Sequence, residues 1–361
     1  MTSSSFSCLK IIKYVFVWCI MMCLFGCQSQ ESESSLELLC NVADKSVPMD
    51  IDFNPDGAMF ATAGRYGEAI LWRSSDCTKI ASYSINSDWF SSVAFGLEGK
   101  KVYFGTENGD VIIIDAASWL PITQYHAHDN TVIDIDMNRD DAVFGTTSLD
   151  GYAKIWKLSN NDMVTSLGGI TSRVNTIDFF YSDTERILTS HGGGQKSEII
   201  AVLWNALNGN EIERFSGHLG LFDILSTKQP QMAENWVDSG EDIVQSGDVT
   251  SARFSSEGSR IATTSYDGAL IIWDIATGKP IKQISAHEDA TSSVSFSSDG
   301  KWILTTSWDG TCKLWDANTY DLMDVVSGNG TEIRLGTFSM DGKRIGAITL
   351  DGSMYIWTIR N

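Results

Sequence analysis

The chain has 361 residues, 43% of them hydrophobic, with 31 Gly and only 5 Pro, which excludes a disordered or collagen-like chain. Its formal net charge of −20 repels phosphate backbones and acidic membrane faces, and so argues against a nucleic-acid partner. Length alone would allow two domains.

Residues 1–26 stand apart. Lys10 and Lys13 give a basic start, and residues 14–25 form an apolar run of 12. That run is shorter than the roughly 20 residues a spanning helix needs and fits the hydrophobic region of a secretory signal. It ends in Leu24, Phe25, Gly26 and Cys27, which resembles the lipobox of bacterial lipoproteins, although Phe25 stands where a small residue is usual. The resemblance implies cleavage before Cys27 and acylation of its thiol and new terminus, palmitate included. With Gln28 next rather than Asp, it also implies delivery to the outer membrane, facing the periplasm. A plain secretory signal with an incidental Cys and a signal-anchor helix remain alternatives. Residues 27–35 are polar and uniform, and read as a flexible tether.

Residues 36–42 (LELLCNV) read as a strand with no partner nearby in sequence. From there to residue 361 one strand-turn-strand phrase recurs. Its clearest copy is His287, Phe296, Ser307, Asp309, Gly310 and Trp315, at offsets of 9, 20, 22, 23 and 28 from the His. A second copy, His128, Ser148, Asp150, Gly151 and Trp156, keeps the last four offsets. The last position recurs at Trp72, Ile114, Trp156, Trp204, Trp273, Trp315 and Trp357, with four of six spacings equal to 42 and the others 48 and 69. Within the sixth copy, Thr291–Phe296 is expected as an inner strand, residues 297–300 as a turn, Trp302–Ser307 as a second strand and residues 312–315 as a third. Asp309-Gly310 suits the tight turn between the last two.

A period of this length with an ending such as Leu314-Trp315-Asp316 resembles the WD40 family of β-propellers. The resemblance covers roughly residues 36–361. It implies an all-β fold, a seven-bladed WD40 β-propeller in one domain, closed by an N-terminal outer strand. The chain stops three strands into the seventh blade, and residues 36–42 supply the missing one. In the family the marker residues form a hydrogen-bonded tetrad within a blade. The resemblance therefore assigns structural tetrads to His128, Ser148, Asp150 and Trp156, and to His287, Ser307, Asp309 and Trp315. Blade 5 has Ser265, Asp267 and Trp273 but Gln245 at the His position; blade 7 has Thr349, Asp351 and Trp357 but Asn329 there. Blades 1 and 2 lack the set, with Gly64 and Tyr66 in one and Ile114 in the other.

Of the Cys residues after Cys27, Cys312 reads as a small core hydrophobe. Cys40 and Cys77 could pair in an oxidising compartment, but by repeat register they fall near opposite ends of neighbouring outer strands, which argues against a disulfide. Two insertions break the period: six residues between Ser190 and Trp204, with a loop at 192–199, and 27 residues at about 219–245. By the family's topology both emerge on one face, beside each other, where function tends to reside.

The chemistry is sparse. There is no Gly-rich phosphate loop, no Gly-x-Ser-x-Gly elbow and no zinc spacing of Cys pairs, so no catalytic residue, metal site or cofactor is assigned and the protein is read as a non-enzyme. Asp50, Asp52, Asp134, Asp136 and Asp178 fall on inner strands and read as solvated acid, with a channel cation as the alternative. The residue between Ser and Asp in each turn is expected to point to solvent: Arg65, Glu107, Leu149, His191, Tyr266, Trp308 and Leu350. Trp89, Phe90 and Arg173 fall beside them. Aromatics with Arg have the composition of an interaction hot spot, so the candidate partner-binding residues are Trp89, Phe90, Arg173, His191, Tyr266 and Trp308. The reading is a lipid-anchored envelope scaffold for a protein or peptide partner. The alternatives are a sensor or enzyme that takes a small ligand or cation at the channel mouth, and a structural subunit of an envelope assembly complex.

Overall fold

In the computed structural model, the described residues are 34–360 apart from 87, 139–141, 170, 181–184, 193–199 and 219–247. Cys27, the leader, most of the tether and the greater part of both insertions lie outside them. Seven four-stranded antiparallel sheets make a seven-bladed β-propeller. Blade 1 is Pro48–Phe53, Met59–Gly64, Glu68–Arg73 and Lys79–Ser84, innermost strand first, and blade 2 is Phe90–Phe95, Lys101–Thr106, Asp110–Asp115 and Leu120–His126. Blade 3 is Val132–Met137, Val143–Ser148, Tyr152–Lys157 and Met163–Gly168; blade 4 is Arg173–Phe179, Arg186–Gly192, Ile200–Asn205 and Glu211–Ser216. Blade 5 is Val249–Phe254, Arg260–Ser265, Ala269–Asp274 and Lys279–Ser285; blade 6 is Thr291–Phe296, Trp302–Ser307, Thr311–Asp316 and Leu322–Ser327. Blade 7 has Ile333–Phe338, Arg344–Thr349 and Ser353–Ile359, with Leu36–Ala43 as its outer strand.

The sequence explains which strand goes where. The second and third strands of a blade are covered on both faces by neighbouring blades, so they carry continuous buried runs such as residues 69–72 and 111–114. Outer strands meet water and alternate, as in Lys79–Ser84. Each of the seven apolar clusters gathers residues of adjacent blades. The tight turns need a left-handed residue: Gly310 has φ of 81°, a conformation that costs Gly little and β-branched residues much.

The closing strand pairs from Leu36 opposite Ile359 to Ala43 opposite Ser353, with an irregularity between Leu38 and Cys40. Leu36 is buried among Leu304 and Leu314 of blade 6 and Trp357 of blade 7, and its N–H donates to Asp324 of blade 6 at 3.0 Å. Cys40 and Cys77 form a disulfide, with Cα atoms 5.9 Å apart, contrary to the register argument. Cys77 is not on an outer strand. It sits in the turn before Lys79–Ser84 with φ of 54°, beside the middle of the closing strand. The bond ties the closing strand to blade 1 across a sequence separation of 37, a span for which chain entropy gives about 2–4 kcal/mol. Cys77→Ser is therefore expected to lower unfolding free energy by about that amount. Dithiothreitol should bring the wild type down to the variant's melting temperature and leave the variant unchanged.

Candidate functional site

The tetrads are built around a threonine. His128 Nδ1 pairs with Asp150 at 2.8 Å, His128 Nε2 with Thr146 Oγ1 at 2.7 Å, and Trp156 Nε1 donates to the same Oγ1 at 2.9 Å. Blade 6 repeats this with His287, Asp309, Thr305 and Trp315 at 2.8–2.9 Å. The expected serines are not the hub. Ser148 Oγ donates to the Asn130 carbonyl, and Ser307 Oγ to that of Ala290; each also accepts the N–H of its own turn's Asp. The second strands read Thr146-Thr147-Ser148 and Thr305-Thr306-Ser307, so two hydroxyls two residues apart share one face, and only the nearer one reaches the indole.

Blade 5 is complete, against expectation. His218 occupies the His position, with Nδ1 3.1 Å from Asp267 and Nε2 2.8 Å from Thr263, which also accepts Trp273 Nε1 at 2.8 Å. The His thus precedes the long insertion, and Gln245 lies outside the described residues. In blade 7, Ala347 stands opposite Tyr355 where blades 1 and 3–6 carry threonine; Thr349 bonds Asp351 instead, and Asn329 bonds Tyr355.

His191 is the largest correction. It is fully buried, not solvent-facing. Its Nε2 lies 2.7 Å from Thr189 Oγ1, which accepts Trp204 Nε1 at 2.7 Å, so it does the tetrad histidine's work from within the strand. Trp204 follows Thr189 by 15 residues, against 10 in the other threonine-centred blades. Five inserted residues therefore lie in this turn and one earlier, and the expected register is off by one, which turns the side chain to the other face. Burial, with the charge of Arg214 and against that of Glu211, pushes the imidazole down to about 4. Phe90, also expected at the rim, is fully buried in the core of blades 1 and 2.

Five of the other rim residues surround the mouth of the central channel, a cavity of about 840 Å³, while Arg65, Glu107 and Trp89 lie outside its lining. Arg173, Tyr266, Trp308, Leu149 and Leu350 line it. Trp308 is 38% exposed and meets Tyr266 edge-on, ring centres 5.3 Å apart. Trp89 lies outside that lining, under Arg65, whose guanidinium is 5.0 Å from its ring centre. Arg173 is not a free cation: it pairs with the buried Asp248. A Cβ on Gly192 would collide with both, so the described ends of the two insertions meet at this pair.

Below the mouth the channel acids are neither free nor convergent. Asp50 accepts the N–H of Val93, Asp52 that of Phe95, Asp134 that of Ile177, Asp136 that of Phe179 and Asp178 that of Phe254, at 2.6–3.0 Å. Each carboxylate thus fastens its inner strand to that of the next blade. Burial, against these bonds, pushes Asp52 up to about 7, and against the charge of Arg253 pushes Asp136 up to about 6. Among the described residues no group of three or more His, Cys, Asp or Glu converges to hold a metal ion.

Residues 119–157, 242–274 and 278–316 match the family model described as WD domain, G-beta repeat. The chain is similar to a guanine nucleotide-binding protein subunit beta of Oryza sativa subsp. indica, 23% identical over 66% of this chain and 58% of that one. It is also similar to the subunit beta of Saccharomyces cerevisiae, 21% identical over 54% of this chain and 51% of that one. A WD repeat-containing protein 91 homolog of Dictyostelium discoideum is 24% identical over 47% of this chain and 23% of its own length. None of these matches spans two thirds of the relative.

Two outcomes follow from the site. Thr305→Val is expected to cost about 2–4 kcal/mol, because His287 and Trp315 lose a shared partner, whereas Ser307→Ala costs about 1 kcal/mol; urea unfolding checks the order. For His191 the folded pKa lies below the unfolded value, so the neutral ring's stabilisation is present above about pH 6.5 and lost as pH falls toward about 4. Relative to His191→Gln, the wild type should lose up to about 3 kcal/mol over that window. A difference independent of pH rejects the assignment.

Proposed function

We propose that this protein is a lipid-anchored scaffold of a bacterial cell envelope that holds a protein or peptide partner on the channel-mouth face and performs no catalysis. The observation that carries the reading is the mouth itself. Tyr266, Trp308, Leu149 and Leu350 ring one opening of a rigid scaffold, a composition suited to a hot spot. Four of the five histidines offer no rival chemistry: His128, His191, His218 and His287 are buried and held by threonines, and the fifth, His126 on an outer strand, pairs with Asp110. Two relatives are by name subunits, which agrees with a binding role. The Cys40–Cys77 disulfide suits an oxidising compartment and so supports export through the leader, while anchoring through Cys27 rests on the lipobox resemblance alone.

The test is crosslinked capture of the partner from detergent-solubilised membranes. Trp308→Ala and Tyr266→Ala should weaken capture by about thirtyfold or more without altering the melting temperature, while Lys100→Ala and Lys301→Ala, in turns between first and second strands, should do little. Cys27→Ser should move the protein out of the lipid-labelled membrane fraction. Loss of capture in the lysine variants alone would place the partner on the opposite face.

A further inference from the structure

One position of the mouth carries a charge where its six equivalents carry none. Four residues before the last residue of each inner strand stand Met49, Ser91, Ile133, Asn175, Thr250, Ser292 and Arg334, all lining the cavity. Wherever that residue is Ser, Thr or Asn, its side chain donates to the next blade's first inner-strand carbonyl. Ser91 bonds Val132, Asn175 bonds Val249, Thr250 bonds Thr291 and Ser292 bonds Ile333, at 2.6–2.8 Å. Arg334 makes no such bond. Its Nε is buried with no acceptor, and among the described residues it makes no ion pair. Burial and then the charge of Arg65 push its pKa down; no carboxylate opposes them. Arg65 likewise has no acidic partner among the described residues and is held on Trp89. In a chain of net charge −20, a half-buried arginine whose Nε has no acceptor and whose neighbour is the exposed Arg65 carries a desolvation cost that a bound anion would offset.

We propose that Arg334 and Arg65 form an anion seat on the blade 7–blade 1 side of the mouth, and that it takes an Asp or Glu side chain of the partner's segment. The proposal rests on the mouth being the binding face. A guanidinium fork matches a carboxylate in plane and charge. The same cavity is walled by Tyr266, Trp308, Leu149 and Leu350, and its volume of about 840 Å³ exceeds what a lone small anion fills, so the carboxylate arrives on an apolar segment. A polyanion is disfavoured by the protein's own charge.

The probe is a displayed library of random octapeptides, selected against the full-length protein in detergent. Selected peptides that compete at the mouth should carry Asp or Glu. Their affinity should fall at least about tenfold when that residue becomes Asn or Gln, and again for Arg334→Met. Arg334→Met should melt at or above the wild-type temperature, since it removes an uncompensated half-buried charge; a lower melting temperature would make Arg334 structural and overturn the proposal. Peptides without acid, or an empty selection, overturn it as well. So does inorganic phosphate that stabilises the wild type but not Arg334→Met while no acidic peptide binds. Peptides lost with Trp308→Ala yet indifferent to Arg334→Met reject the seat and leave the mouth standing. Peptides indifferent to both reject the mouth reading itself.

Discussion

Closure of the ring is the constraint on which everything else depends. A blade buries both faces of its middle strands only because a neighbour lies on each side, so a gap anywhere leaves two apolar faces wet. One strand prevents the gap. Leu36–Ala43 pairs with Ser353–Ile359, seats Leu36 against blade 6 and is bonded through Cys40 to blade 1. It therefore joins three blades at once, and this seam carries the one disulfide among the described residues.

A second constraint acts at the centre. Inner strands of adjacent blades splay apart and form no ladder with each other, so each presents a sheet edge with polar groups to satisfy. Side chains of the preceding blade do this. Asp50, Asp52, Asp134, Asp136 and Asp178 accept N–H groups, and Ser91, Asn175, Thr250 and Ser292 donate to carbonyls. The acidic channel is thus largely joinery. Its carboxylates occupy blades 1, 3 and 4, and the cavity's inner-strand arginines, Arg173, Arg253 and Arg334, occupy blades 4, 5 and 7, so the polar character of the wall changes around the ring.

The fold was legible because a fixed period and a missing last strand admit one solution. The candidate site was legible only where the period held. Trp308 and Leu149 stand at the rim as the spacing placed them. His191 does not, because inserted residues were divided between two turns and a one-residue slip reverses a strand's faces. His218 was missed because spacing cannot say on which side of its His an insertion falls. Thr146 and Thr305 were hidden by serines two residues on, since period-two neighbours look alike in sequence. Arg334 had a signal that went unused: it is the one charged residue at its position among seven aligned inner strands.

Two kinds of departure from the repeat have different physical meanings. In blade 2 the hub is Phe104 and the indole position is Ile114, both fully buried, while Trp119 fills the space and donates its N–H to the Ala69 carbonyl. There the indole and its threonine hydroxyl were exchanged together, so neither is left without the other, a change close to neutral. Arg334 is the opposite case, a single charged residue with no compensating change around it. Coherent exchange is what packing tolerates. An isolated, uncompensated exchange is the kind expected at functional or strained sites, and the proposed anion seat would give it a function on one side of the mouth.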